Sequence, residues 1–150
     1  MTSEQYQSLL NELARVGGLA DPSPLLDHGR VKVGEVNVLL EHEPNYDENL
    51  LQVRMLLGGF PPEQQDITKA LLEANYTSGY GGECVFSLFP QSDDVVVTMK
   101  LRLDSAMSAQ ELWQQLSDVA THGARMWEAI VSALPAAQRA SPMNSVAAHV

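Results

Sequence analysis

Hydrophobic and polar residues alternate most regularly between Val95 and Leu103. Val95, Val97, Met99, Leu101 and Leu103 share one parity, and Val96, Thr98, Lys100 and Arg102 share the other. Period-two alternation over nine residues predicts a strand buried on one side and wet on the other. The preceding run CVFSLF (residues 84–89) also alternates, but Cys84, Phe86 and Leu88 stand opposite Val85, Ser87 and Phe89. Apolar groups therefore occur on both of its faces. Pro90–Asp94 carries turn residues and joins the two runs as a hairpin. A hairpin strand with no polar face needs a second cover, either a helix of its own chain or another subunit.

Upstream, residues 3–16 read as an amphipathic helix with Ser3 as its N-cap and Tyr6, Leu9, Leu10, Leu13 and Val16 at three- and four-residue steps. Gly17-Gly18 stops it. The two prolines of Asp21-Pro-Ser-Pro24 predict a loop. Three short strands follow, at Arg30–Val33, Val36–Glu43 and Leu50–Leu57, separated by Gly34-Glu35 and by the Pro44–Asn49 turn. In the second, Val36, Val38, Leu40 and His42 oppose Asn37, Leu39, Glu41 and Glu43. In the third, Leu51, Val53, Met55 and Leu57 oppose Gln52 and Arg54. Residues 66–76 form a helix with Ile67, Ala70, Leu71 and Ala74 on one side, while Leu72 and Tyr76 lie off that stripe. A Gly79–Gly82 turn leads to the hairpin. The last helix starts after Ser108 and runs to about Leu134, its apolar band roughly 160° wide. From Pro135 the periodicity vanishes. The expected organisation is one domain over residues 1–134 and a disordered tail over 135–150. Short connections make the strands antiparallel, and the order α-β-β-β-α-β-β-α defines an α+β fold.

Charge and chemistry narrow the function by exclusion. Nineteen acidic against nine basic residues give a formal charge of −10, which argues against nucleic acid and against anionic membranes as partners. The N-terminus lacks the pattern of a signal peptide, no run is long enough to span a membrane, and the lone Cys84 suits a reducing cytosol. His28, His42, His122 and His149 lack metal-ligand spacing. Cys84 reads as a small hydrophobe at a strand start rather than a nucleophile. Gly79-Tyr-Gly-Gly82 lacks the Lys-Ser/Thr ending of a phosphate loop. Asp47-Glu48 and Asp93-Asp94 sit at hairpin tips, where turn geometry explains them. No catalytic constellation, metal site or cofactor is expected, and the chain reads as a non-enzyme. Trp113 and Trp127 fall on nearly one helical face, as core packing requires. What remains is an apolar surplus on helix 66–76, on CVFSLF and on helix 3–16, a mark of protein–protein contact.

The run ITKALLEANYTSGYGGECVFSLFPQSDDVVVTMKLRL, followed by SAQELWQQLSDVATHGARMWEAI, resembles class I type III secretion chaperones, the Tir chaperone family. The similar features are a Leu-Leu-x-x-Asn helix, a Gly-Gly turn into a short strand, a long alternating strand, and a final helix with an aromatic near each end. VRMLLGGFP, ending in Gly and Pro, fits as well. The resemblance covers residues 3–134. It implies a twisted five-stranded antiparallel sheet flanked by helices, in a homodimer joined through the middle helix and fourth strand. That puts Ile67, Ala70, Leu71, Ala74, Cys84, Phe86 and Leu88 at the dimer interface. It also implies a bacterial cytoplasmic chaperone, tied to virulence, that keeps the N-terminal segment of a secreted effector extended and hands the complex to the secretion ATPase without using ATP itself. An extended peptide can add to a sheet edge while alternate side chains fill apolar grooves. The candidate effector-binding residues are Leu9, Leu13, Val31, Val33, Val38 and Leu40; alternation does not tell which set faces the helices. Two rival readings stand beside it: an adaptor of similar α+β architecture outside secretion that masks a protein partner, and a small-molecule-binding or catalytic domain using the Trp113/Trp127 face.

Overall fold

Helix α1 (Ser3–Val16) is started by a capping box centred on Thr2. Its hydroxyl accepts the Gln5 N–H at 3.2 Å, and Gln5 Oε1 accepts the Thr2 N–H at 2.8 Å. The N-cap is thus one residue ahead of Ser3, because Gln5 supplies the reciprocal partner that position needs. A computed structural model describes residues 1–60, 65–78 and 84–133. The proline segment expected as a loop opens a short helix, α2 (Ser23–His28). Pro22 is its N-cap and Pro24 sits in its first turn, where a missing N–H leaves no bond unmade. Gly29 ends α2 in the left-handed region at φ 66°, and a Cβ there would fall 2.2 Å from the Leu40 carbonyl oxygen. Only glycine allows the chain to turn from α2 straight into the sheet.

The sheet has five strands, β1 (Arg30–Val33), β2 (Val36–His42), β3 (Leu50–Gly59), β4 (Cys84–Leu88) and β5 (Asp94–Arg102). Their spatial order is β1-β2-β3-β5-β4, antiparallel throughout. The Pro44–Asn49 turn holds a single helical turn, α3 (Pro44–Asp47). Helix α4 (Gln65–Ser78) enters after β3, and α5 (Ala109–Ser132) closes the described fold. This is the α+β architecture expected, with α2 and α3 added. The Gly79–Gly82 turn and the tail 135–150 lie outside the described residues.

Paired rows run across the sheet. One is Val31–Val38–Met55–Val97–Phe86; the next is Leu40–Val53–Met99–Cys84. All these side chains point to one face, and α5 lies across it with Leu112 and Leu116 fully buried. Gly123 permits the approach, since a Cβ there would come within 2.9 Å of Met55 Cε. Helix α1 packs beside α5, where Gly17 seats the Trp113 ring; a Cβ at Gly17 would meet it at 2.6 Å. Trp127 approaches Gly58 at a bulge in β3 around Leu57. Both tryptophans are half-buried against the core. Among the described residues no polar or charged residue is buried.

A second capping box starts α5: Ser108 Oγ accepts the Glu111 N–H at 3.2 Å, and Glu111 accepts the Ser108 N–H at 2.8 Å. That backbone N–H, helped by the Ser108 hydroxyl, holds the Glu111 carboxyl below its usual range.

Candidate protein-docking surfaces

Register resolves which parity faces inward. Val31 and Val33 of β1, Val38 and Leu40 of β2, and Leu9 and Leu13 of α1 gather in one cluster, between 0 and 6 % exposed. The structure brings the six expected effector-binding residues together, but beneath the helices, inside the core. The reason is that α5 needs the β-branched row Val31–Val38 as its floor, and α1 needs Leu9 and Leu13 to reach α5. The opposite parity forms the face without helices, and on it Val96, expected on the wet side of its strand, is nonetheless buried at 3 % exposure.

That face carries Arg30, Lys32, Leu39, Arg54, Leu56, Val85, Thr98 and Lys100 on adjacent strands. Leu39, Leu56, Arg30, Lys32, Pro24 and Phe89 line a groove of about 410 Å³. Phe89 belongs to the β4–β5 turn and is 37 % exposed. Arg54 forms an ion pair with Glu41 across β2 and β3 and donates to Gln52 Oε1 at 3.4 Å.

The two sheet edges differ. On one side, Asn75 of α4 lies against β4: Phe86 N–H donates to Asn75 Oδ1 at 2.7 Å, and Asn75 Nδ2 donates to the Phe86 carbonyl at 3.1 Å. The side-chain amide thereby imitates a neighbouring strand at Phe86, on the edge against which α4 packs. On the other side, the Leu40 N–H donates to the Gly29 carbonyl at 2.8 Å. Counting by two from that bonded pair, Val31 and Val33 face β2 with their backbone groups, and Arg30 and Lys32 turn theirs outward. Among the described residues, nothing pairs with them. The β1 edge is open. Asn75→Ala should therefore cost about 2 kcal/mol and raise the tendency to self-associate through β4; thermal unfolding and light scattering would check it, and an unaltered melting temperature would contradict it.

Helix α4 has two apolar sides. Ile67, Leu71 and, across from them, Phe86 are buried within the protomer; Ala70, Ala74 and Cys84 are half-buried. Of the seven residues expected at a dimer interface, only Leu88 is distinctly exposed, at 42 %. The outward side instead presents Leu72 at 64 % and Tyr76 at 76 % exposure, flanked by Thr68 and Lys69, and β4 adds Val85 at 53 %. The signal for Leu72 and Tyr76 was their departure from the Ile67–Leu71–Ala74 stripe. The signal for Val85 and Phe89 was the apolar second face of CVFSLF.

The sequence profile of the Tir chaperone protein (CesT) family matches residues 8–126, most of the chain. The chain belongs to the Tir chaperone family. Solved structures share its fold, two of them from complexes. One is a chain of the ExsC–ExsE complex, with TM-score 0.65 at 18 % identity, covering 90 % of this chain and 97 % of that one. The other is a chain of the HopA1–SchA chaperone–effector complex, with TM-score 0.58 at 17 % identity, covering 82 % and 92 %. Among curated proteins none matches the chain in sequence.

For a Tir-family chaperone, the remaining polar groups act as scaffold. Cys84 is half-buried, and desolvation pushes its thiol up, away from the thiolate a nucleophile requires. The Tyr6 and His42 rings meet at a tilt of 37° with centroids 4.5 Å apart, and a His42 ring nitrogen lies 2.9 Å from the Glu48 carbonyl oxygen. The Tyr6 hydroxyl is buried without a partner, and burial drives its pKa far above the phenol range. This pair fastens the start of α1 to the end of β2. Among the described residues no helix is long and apolar enough to cross a membrane, and no cluster of His, Cys, Asp or Glu could hold a metal ion.

Proposed function

We propose that this protein is a cytoplasmic type III secretion chaperone that works as a homodimer and holds the N-terminal segment of a secreted effector extended, soluble and ready for export. Family membership is the observation that carries the reading, and both structural neighbours come from complexes with a partner. The sheet supports it in physical terms. One face is filled by helices and the other carries none; one edge is lined by α4, with Asn75 bonded to Phe86, and the other is open. A disordered client segment can pair its backbone with Arg30 and Lys32 on β1 while its apolar side chains enter the groove at Leu39, Leu56 and Phe89. Backbone pairing is tolerant of sequence, and the groove supplies selection.

In this reading Leu9, Leu13, Val31, Val33, Val38 and Leu40 act beneath the client, by holding β1 and β2 in place. The dimer forms around the outward side of α4, through Leu72 and Tyr76, whose exposure exceeds that of the other apolar side chains on that helix. Holding a segment extended needs no nucleotide. Transfer of the loaded complex to the secretion ATPase belongs to the same reading and rests on the family alone.

The test is purification of the tagged protein from its own organism under secretion-inducing conditions, with light scattering and limited proteolysis of what copurifies. The reading predicts a dimer carrying a secreted protein whose N-terminal region resists protease. A partner bound through a folded domain, with its N-terminus freely cut, would contradict it.

A further inference from the structure

Basic residues are scarce in this chain, nine in all, yet five of them, Arg30, Lys32, Arg54, Lys100 and Arg102, share the bare face of the sheet. Glu41 and Asp94 are the only carboxylates of matching parity on the strands. A chain of formal charge −10 thus turns a positive face toward solvent at the place where its helices leave the sheet uncovered. Apart from Arg54, which is paired with Glu41, these cations are weakly held. Among the described residues Arg30 and Lys100 have no ionic partner; Lys32 meets Glu35 at 3.3 Å between two exposed groups, and Arg102 reaches Asp47 only at 3.9 Å. Exposed pairs of this kind contribute little and exchange readily for a better-placed anion.

The basic groups are interleaved with apolar ones. Arg30, Leu39 and Arg54 form one row across β1, β2 and β3, and Lys32, Asn37 and Leu56 form the next, with Phe89 lining the same groove. Rows and strands are both about 5 to 7 Å apart, so a bound segment meets cation and hydrocarbon in turn. We infer that the occupant of this face is a client segment in which Asp or Glu residues are interspersed with large apolar ones. The inference rests on the chaperone reading and deepens it, because it names the chemistry that selects one client from another. Charge complementarity also gives a fast, salt-sensitive encounter.

The test uses a displayed library of random peptides, about twice as long as the face is wide, selected on the full chain and on Arg30→Glu/Lys32→Glu. Both replaced side chains are exposed, so circular dichroism and melting should match the parent. Peptides enriched on the parent are expected to alternate acidic and apolar residues. They should lose roughly 10- to 50-fold in affinity on the double variant, and a comparable factor when salt rises from about 0.05 to about 0.5 M. Enriched peptides without acidic bias that bind both proteins equally would overturn the inference while leaving a peptide-holding chaperone intact. Failure to enrich any peptide, with an intact fold, would overturn the chaperone reading and the inference with it. Tighter binding of a short DNA duplex than of any acidic peptide would also overturn it.

Discussion

Replacing Leu72 and Tyr76 together by Glu is expected to turn the proposed dimer into folded monomers. Both side chains stand clear of their own protomer, at 64 % and 76 % exposure, so the change leaves the protomer core untouched. In a two-fold interface each lost contact is counted twice. Burial of one such side chain stabilises by about 1.5–3 kcal/mol, and four carboxylates brought into a desolvated contact add repulsion and an unmet hydration demand. A loss of at least 5 kcal/mol, roughly four powers of ten in dissociation constant, follows. Light scattering should show the mass falling from twice 16.4 kDa to 16.4 kDa with the circular dichroism unchanged. A dimer that survives both substitutions would move the interface away from α4. Leu71→Asp would be a poorer probe, since Leu71 is only 7 % exposed and its loss would injure the protomer before the dimer.

Leu13→Asp is expected to unfold the protomer rather than to impair client binding alone. Leu13 is fully buried with Leu9, Leu10 and the α5 residues Leu112 and Leu116 in the same cluster. Removing the leucine costs about 3 kcal/mol in transfer and cavity terms, and an unpartnered carboxylate in that environment costs several more. Against a typical total of about 5–15 kcal/mol, little stability would remain. The cooperative melt should disappear or drop by roughly 15 °C. A variant that melts like the parent yet fails to bind its client would instead make Leu13 part of the client surface.

These two cases show what alternation could and could not reveal. The strand at Val95–Arg102 was legible because its parities differ in kind, Val95, Val97 and Met99 against Thr98, Lys100 and Arg102, with Val96 the one apolar residue on the polar side. In β1 and β2 the same reasoning groups Val31 with Val33 and Val38 with Leu40. Which group lies under the helices is decided by contacts far away in sequence, with α5 above all. For α4, counting at helical spacing separated Ile67, Leu71 and Ala74 from Leu72 and Tyr76. Period alone does not say that the larger stripe packs on its own chain and the smaller one is left outside. The α2 segment was hidden by Pro22 and Pro24, which forbid a helix interior but suit a first turn. Asn75 was visible as part of Leu-Leu-x-x-Asn, though its role depends on the distant backbone of Phe86. The basic character of the bare face arises only when β1, β3 and β5 are brought side by side.

The measurement that bears most directly on the central claim is amide hydrogen exchange of the protein with and without its copurified client. In the free chain the N–H groups of Arg30 and Lys32 should exchange fast, because the β1 edge is open, while that of Phe86 should be protected by Asn75. Client binding is predicted to slow exchange along β1 and leave Phe86 and the interior of α5 unchanged. Protection that appears on α4 or α5 instead, with Arg30 and Lys32 still exchanging fast in the complex, would contradict the account.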